Sequence, residues 1–127
     1  MTFSKICSTF VLLASTLTLS ANEDSPIPKL LDLGAKKCVP CKMMEPVLAD
    51  LAMNYRGQFD VEFIDVWQPE NRTKATFYKI NSIPTQIFFD ETGKELWRHE
   101  GYISKEDILK AWDALGFVFE NPILSSE

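Results

Sequence analysis

The sequence predicts an α/β domain built on a central four-stranded mixed sheet with helices on both faces. Two features of its patterning carry that expectation. Short apolar runs bounded by turn residues alternate with segments whose apolar residues recur at helical spacing, the order in which helices join parallel strands. The last two runs flank a tight Glu91-Thr92-Gly93 corner and precede one more amphipathic stretch, so a hairpin and a covering helix complete the sheet. At 127 residues, 46% apolar and 24% charged, the chain has the size and balance of one globular domain.

Residues 1–21 differ from the rest. Lys5 is the only charge before Glu23, Ile6 to Leu19 is an apolar run diluted by Ser and Thr, and small residues gather around Thr18, Ser20 and Ala21. A short cationic start, an apolar middle and a small-residue end make a secretory signal peptide, with cleavage expected after Ser20 or Ala21. An uncleaved anchor is the alternative, but spanning a bilayer takes roughly 20 predominantly apolar residues. This run is shorter and rich in hydroxyls. Cys7 precedes it, the wrong side for a lipid-modified cysteine at a cleavage site. The expectation is an exported protein, periplasmic or otherwise extracytoplasmic, with no stable membrane insertion after cleavage.

Losing Lys5 leaves 12 basic residues against 18 acidic ones, a formal charge of −6 in place of −5. An acidic domain repels phosphate backbones, so nucleic acid is not an expected partner. A monomer is expected.

Asn22 to Pro28 reads as a polar, proline-bearing linker, and residues 29–116 as the folded domain. Lys29 to Gly34 (KLLDLG) is a short apolar run, a buried strand ending at its glycine. Beyond it Met44, Val47, Leu48, Leu51 and Tyr55 recur at helical spacing up to Gly57, with a kink expected at Pro46. Val61 to Trp67 (VEFIDVW) is the second strand, and Gln68 to Lys79 a weaker helix beginning near Pro69. Ile83 to Asp90 (IPTQIFFD) is the third strand, paired by a hairpin with Glu95–Gly101. Ser104 with Asp107 resembles a capping box opening a last helix, which buries Ile108, Leu109, Trp112 and Leu115 and stops at Gly116. In the tail, residues 117–127, Phe117, Val118 and Phe119 are expected to pack on the body.

Three cysteines are present, and removal of the leader takes Cys7. The remaining pair, Cys38-Val39-Pro40-Cys41, sits between a strand end and a helix start. A bridge across two intervening residues closes almost no loop and restrains the unfolded chain very little, so it makes a poor structural staple. The placement suits chemistry instead. Unpaired amides and the positive dipole end of a helix stabilise a thiolate and lower the pKa of the first cysteine. Lys36, Lys37 and Lys42 add positive charge nearby. One helical turn on, Cys41 faces Cys38, which makes Cys38 the expected nucleophile and Cys41 the resolving thiol.

Metal binding is the rival. Structural zinc takes four Cys or His ligands, and the chain without its leader offers two Cys and one distant His99. Copper(I) needs only two thiolates, and Met43 and Met44 adjoin Cys41, so copper(I) handling stays an alternative. Trp67 and Trp112 read as core or half-exposed packing, His99 as surface, and Lys94 to Glu100 as a solvated strand face.

From about Leu30 to Leu115 the chain resembles the thioredoxin family: strand, CxPC followed by Lys, proline-bearing helix, strand, helix, then Ile83-Pro84-Thr85 opening a hairpin. The resemblance implies a thioredoxin-like fold and a cis peptide before Pro84 beside the cysteines. It also implies that the Ile83 backbone pairs with an extended substrate segment, so Ile83 and Pro84, with Val39 and Pro40, are the expected substrate-binding residues. Asp32, six residues before Cys38, would on its own read as a strand-end carboxylate reaching water. The resemblance makes it a buried acid that moves a proton on or off Cys41. Lys37 and Gly34 stand where thioredoxins usually carry Trp, and Val39 where they carry Gly. Too few residues precede Asp32 for the family's extra N-terminal strand and helix, so a trimmed sheet is expected.

These readings lead to an exported thiol–disulfide oxidoreductase that reduces disulfides of substrate proteins, with no cofactor beyond the Cys38–Cys41 disulfide. By resemblance to exported thioredoxins, electrons would come from a membrane thiol-electron transporter. Copper(I) handling, disulfide donation (an oxidase) and a purely adaptor role are the alternatives.

Overall fold

The structure, a computed structural model, describes residues 25–121. The expected signal peptide with its cleavage point, residues 22–24 of the linker and residues 122–127 of the tail lie outside the described residues. The elements run β1 (Lys29–Gly34), α1 (Val39–Asn54), β2 (Asp60–Asp65), α2 (Arg72–Phe77), β3 (Thr85–Phe89), β4 (Glu95–Glu100) and α3 (Lys105–Ala114). They form the expected four-stranded mixed sheet, in the order β2-β1-β3-β4. β1 runs parallel to β2 and antiparallel to β3, and β3 with β4 forms the hairpin.

β1 lies inside the sheet and is covered on both faces, which is why its sequence shows no alternation of polar and apolar residues. Leu30 points to one face, among Met44, Leu48 and Leu51 of α1 and Ile108 and Trp112 of α3. Leu31 and Leu33 point to the other, with Ile64 and Ile87, under Ala75 and Tyr78. Trp112 is fully buried and has Phe59, Phe88, Phe117 and Phe119 around it, with ring centroids 4.8 to 5.6 Å away. The tail therefore packs on the body through Phe117 and Phe119. Val118 does not, being 82% exposed; neighbouring residues of an extended segment face opposite ways.

The helix spacings hold with small shifts. Met44, Leu48, Leu51 and Tyr55 are buried and Val47 is half-buried, while α1 continues through Pro46. Leu109 and Leu115 border the core and are only partly buried. Ser104 opens α3 as expected. Its Oγ accepts from the Asp107 N–H at 3.1 Å and donates to the Asp107 carboxylate at 3.0 Å. Ser104→Ala is expected to lower unfolding free energy by about 1 kcal/mol, read as a smaller urea midpoint at unchanged slope. An unchanged midpoint would remove the cap from the account.

Three boundaries differ from expectation. β2 stops at Asp65, leaving Val66 and Trp67 outside, because the Asp65 carboxylate accepts the Trp67 N–H at 3.0 Å and turns the chain. Trp67 is 57% exposed, so it is not a core residue. The expected helix over 68–79 is a 3-10 turn, Pro69–Asn71, and the short α2, with none of these residues buried. Without an apolar stripe there is little to hold a longer helix on the sheet. β3 begins at Thr85 and not at Ile83, because Pro84 has no N–H to give the ladder.

Candidate active site

β1 delivers the chain to the site. Ala35 and the exposed Lys36 and Lys37 lead from Gly34 to Cys38, and the Cys38 N–H returns to the Ala35 carbonyl at 3.1 Å. Cys38 has an extended backbone and caps α1, its Sγ accepting the Cys41 N–H at 3.4 Å. Pro40 sits in the first turn, where a missing N–H costs nothing. One turn of helix brings the cysteines together, with Cα atoms 5.2 Å apart and the sulfurs joined in a disulfide. The two sulfurs are unequal. Cys38 is half-buried, whereas Cys41 is 2% exposed.

Gly34 is required by closeness. A Cβ there would stand 3.2 Å from the Cys41 Sγ and 3.2 Å from the Phe63 ring. Phe63 of β2 thus lies against Gly34 beside the inner sulfur. Lys36, Cys41, Glu45, Leu48 and Phe63 line a shallow hollow beside the buried sulfur. A second hollow, lined by Lys29, Phe77, Phe89 and Arg98 among others, opens at the opposite end of the sheet, away from the cysteines.

Asp32 lies one step back from Gly34 on the same face of β1, the face on which Gly34 meets Cys41, and is not a strand-end carboxylate reaching water. It is fully buried. Burial raises its carboxyl pKa to about 6, and a hydrogen bond from Gln86 acts in the opposite direction. Oδ1 accepts the Gln86 Nε2–H at 2.8 Å, and Oδ2 has no hydrogen-bond partner. This is a carboxyl that changes charge near neutral pH, as proton transfer at a thiol requires.

Pro84 reaches the same end of the sheet from β3, since Thr85 pairs with Leu33. The Ile83-Pro84 peptide bond is cis. Pro84 is buried and Ile83 half-buried, and the Pro84 carbonyl accepts the Gly101 N–H at 2.8 Å. Val39 (71% exposed) and Pro40 face solvent beside the disulfide. His99 is not brought to the cysteines; its Nε2 lies 3.2 Å from the Tyr102 carbonyl oxygen.

Sequence reasoning passed over two residues. Asp65 ties the cysteine loop to the loop after β2, accepting the Lys36 N–H at 3.2 Å, the Trp67 N–H at 3.0 Å and the Gln68 side-chain amide at 3.4 Å. Burial opposes its charge, but the Lys36 and Trp67 amides and Gln68 outweigh that and hold its carboxyl below its ordinary value. Gln86 is the second, and its signal was an amide in the middle of an apolar strand. Among the described residues, no group of three or more His, Cys, Asp or Glu is arranged to hold a metal ion, and no helix is long and apolar enough to cross a membrane.

A family model described as Thioredoxin matches residues 18–114 of this chain. Thioredoxins of Staphylococcus aureus strains Mu50, MW2 and N315 are each 39% identical to it over 85 residues, covering 67% of this chain and 79% of theirs.

Proposed function

The chain belongs to the thioredoxin family and is a thiol–disulfide oxidoreductase, and from that premise we propose that it is exported and reduces protein disulfides outside the cytoplasm. The observation that carries the mechanism is the asymmetry of the pair, a half-buried Cys38 at a helix start and a buried Cys41 on the sheet face that also carries the buried Asp32. Only the accessible sulfur meets a protein disulfide, and the helix start favours its anion. The Cys38 thiolate attacks one substrate sulfur. The substrate S–S bond breaks, one substrate thiolate leaves, and a mixed disulfide forms at Cys38. Cys41 gives its proton to Asp32 and attacks the Cys38 Sγ. The second substrate thiolate departs, and the Cys38–Cys41 disulfide remains. Two electrons have passed to the substrate, so each turnover needs a dithiol donor. In an oxidising compartment that donor is a membrane thiol-electron transporter.

Substrate docking falls to the surface around Cys38. Val39 and Pro40 flank it, and the Ile83 backbone beside Pro84 offers main-chain groups to an extended segment. Export rests on the composition of residues 1–21, and cleavage there predicts a mature N-terminus at Ala21 or Asn22.

Turnover of insulin disulfides with a dithiol donor tests the reaction, and the reduction potential of the Cys38–Cys41 couple tests its direction. A reductase is expected near the thioredoxin end of the scale, about −270 mV. A value near about −120 mV, typical of a strong oxidant, would reverse the assignment to disulfide donation.

A further inference from the structure

Gln86 is fully buried in a strand whose neighbours are Thr85, Ile87 and Phe88. Burying an amide costs free energy unless its hydrogen bonds are made, and an apolar side chain of similar size escapes that cost. The Gln86 amide nevertheless faces one group that uses it. Gln86 is the cross-strand partner of Asp32, on the same face of the sheet, and its Nε2 donates to Asp32 Oδ1 at 2.8 Å. We propose that Gln86 is a positioning residue for disulfide exchange, holding the Asp32 carboxyl by Oδ1 so that Oδ2 stays available to take the Cys41 proton. The inference rests on the reading of Asp32 as the base for Cys41 given above.

The surroundings leave this task to Gln86. Across β1, the β2 partner of Asp32 is the apolar Phe63. Across β3, the β4 partner of Gln86 is His99, whose ring is engaged with the Tyr102 carbonyl. On α1 the ionisable groups near the pair are Cys41, held in the disulfide, and the solvent-facing Lys42 and Glu45. Burial and the Gln86 hydrogen bond are the influences that set the Asp32 carboxyl, the first raising its proton affinity and the second lowering it. Gln86 therefore keeps a desolvated acid ionisable near neutrality. Without its donor, Asp32 would retain its proton to higher pH and fail to accept one from Cys41.

Gln86→Met keeps length and bulk while removing the donor. Side-chain carboxyl NMR read through pH 4 to 9 is expected to show the Asp32 midpoint higher by about one to two pH units in the variant. The acid limb of the exchange-rate profile is expected to move with it, so that exchange at pH 6 falls roughly tenfold while the rate at pH 9 is retained. In the unsubstituted protein, the Gln86 side-chain amide resonances are expected to titrate with the Asp32 midpoint, a reading that needs no variant to fold. An Asp32 midpoint unmoved by Gln86→Met, or amide resonances flat through the Asp32 titration, would overturn the inference. A moved carboxyl midpoint beside a stationary rate profile would leave the Gln86–Asp32 hydrogen bond standing but overturn the role of Asp32 as base, and with it the positioning role of Gln86 in exchange.

Discussion

Cys38→Ser is expected to remove disulfide exchange by on the order of a thousandfold or more, with the fold intact. The reason is chemical and local. Serine keeps the size of the side chain at the start of α1, but its hydroxyl does not ionise near neutral pH and forms no mixed disulfide. Stability should change little, because the Cys38–Cys41 bridge closes a loop of only two intervening residues. Cys41→Ser gives a different outcome from the same lost bridge. Cys38 remains accessible and reactive, so the first attack proceeds and the mixed disulfide persists, linking the protein covalently to its substrate. Insulin turnover should fall to background in both variants, and non-reducing gels should show trapped adducts only for Cys41→Ser. Adducts formed through Cys41 in the Cys38→Ser protein would reverse the roles assigned from burial. The same trap, applied in the producing cell, identifies the electron donor and the clients by capture at Cys38.

Asp32→Asn is expected to change the dependence of stability on pH by roughly 2 kcal/mol between pH 4 and pH 8. The sign follows from the direction of the shift. The Asp32 carboxyl has a pKa raised from 3.8 to about 6 in the folded protein. An acid raised in this way favours folding while protonated in both states, below the unfolded value, and that contribution is lost as pH rises through the folded value. The native protein thus carries a penalty above about pH 6 that the Asp32→Asn variant does not. Asp65, Asp90, Glu95 and Asp107 are shifted the other way by hydrogen bonds, with added help from nearby lysines and Arg98, so their contribution is lost as pH falls. Subtracting the native curve from that of Asp32→Asn cancels these groups, since both proteins share them. The amide at position 32 adds a constant cost at every pH, leaving the difference between the two pH values intact. Urea unfolding at pH 4 and pH 8 is the measurement, and parallel curves would show an Asp32 carboxyl with an ordinary pKa. The exchange rate of the variant should in addition lose the acid limb that Asp32 gives the native protein.

The elements that carry the cysteines were legible because their information is local. Lys29–Gly34 reads as a buried strand from its own six residues, and the stripe from Met44 to Tyr55 needs only helical spacing. The Ser104 cap and the Glu91-Thr92-Gly93 corner are equally short-range, and the structure bears them out. Local reading failed where distant partners decided. Val66 and Trp67 continue an apolar run, yet the Asp65 carboxylate ends the strand by serving the Lys36 amide 29 residues away as well as its own turn. The weak helix near Pro69 shrank because propensity without a buried face does not sustain one. Val118 follows Phe117 in the tail, but only side chains facing the Trp112 cluster are covered.

The order of residues along the chain already sets the chemistry available to this protein: two sulfurs one helical turn apart at a strand-to-helix junction, in an α/β order of elements. How those sulfurs differ, and what surrounds them, came only with the packed fold. Packing buried Cys41 and left Cys38 reachable, pressed Gly34 against the inner sulfur, and set Gln86 beside Asp32 from 54 residues away. The physical reason is range. Helical spacing and turn preference act between near neighbours, whereas desolvation and a buried hydrogen bond exist only once separate strands have been brought side by side.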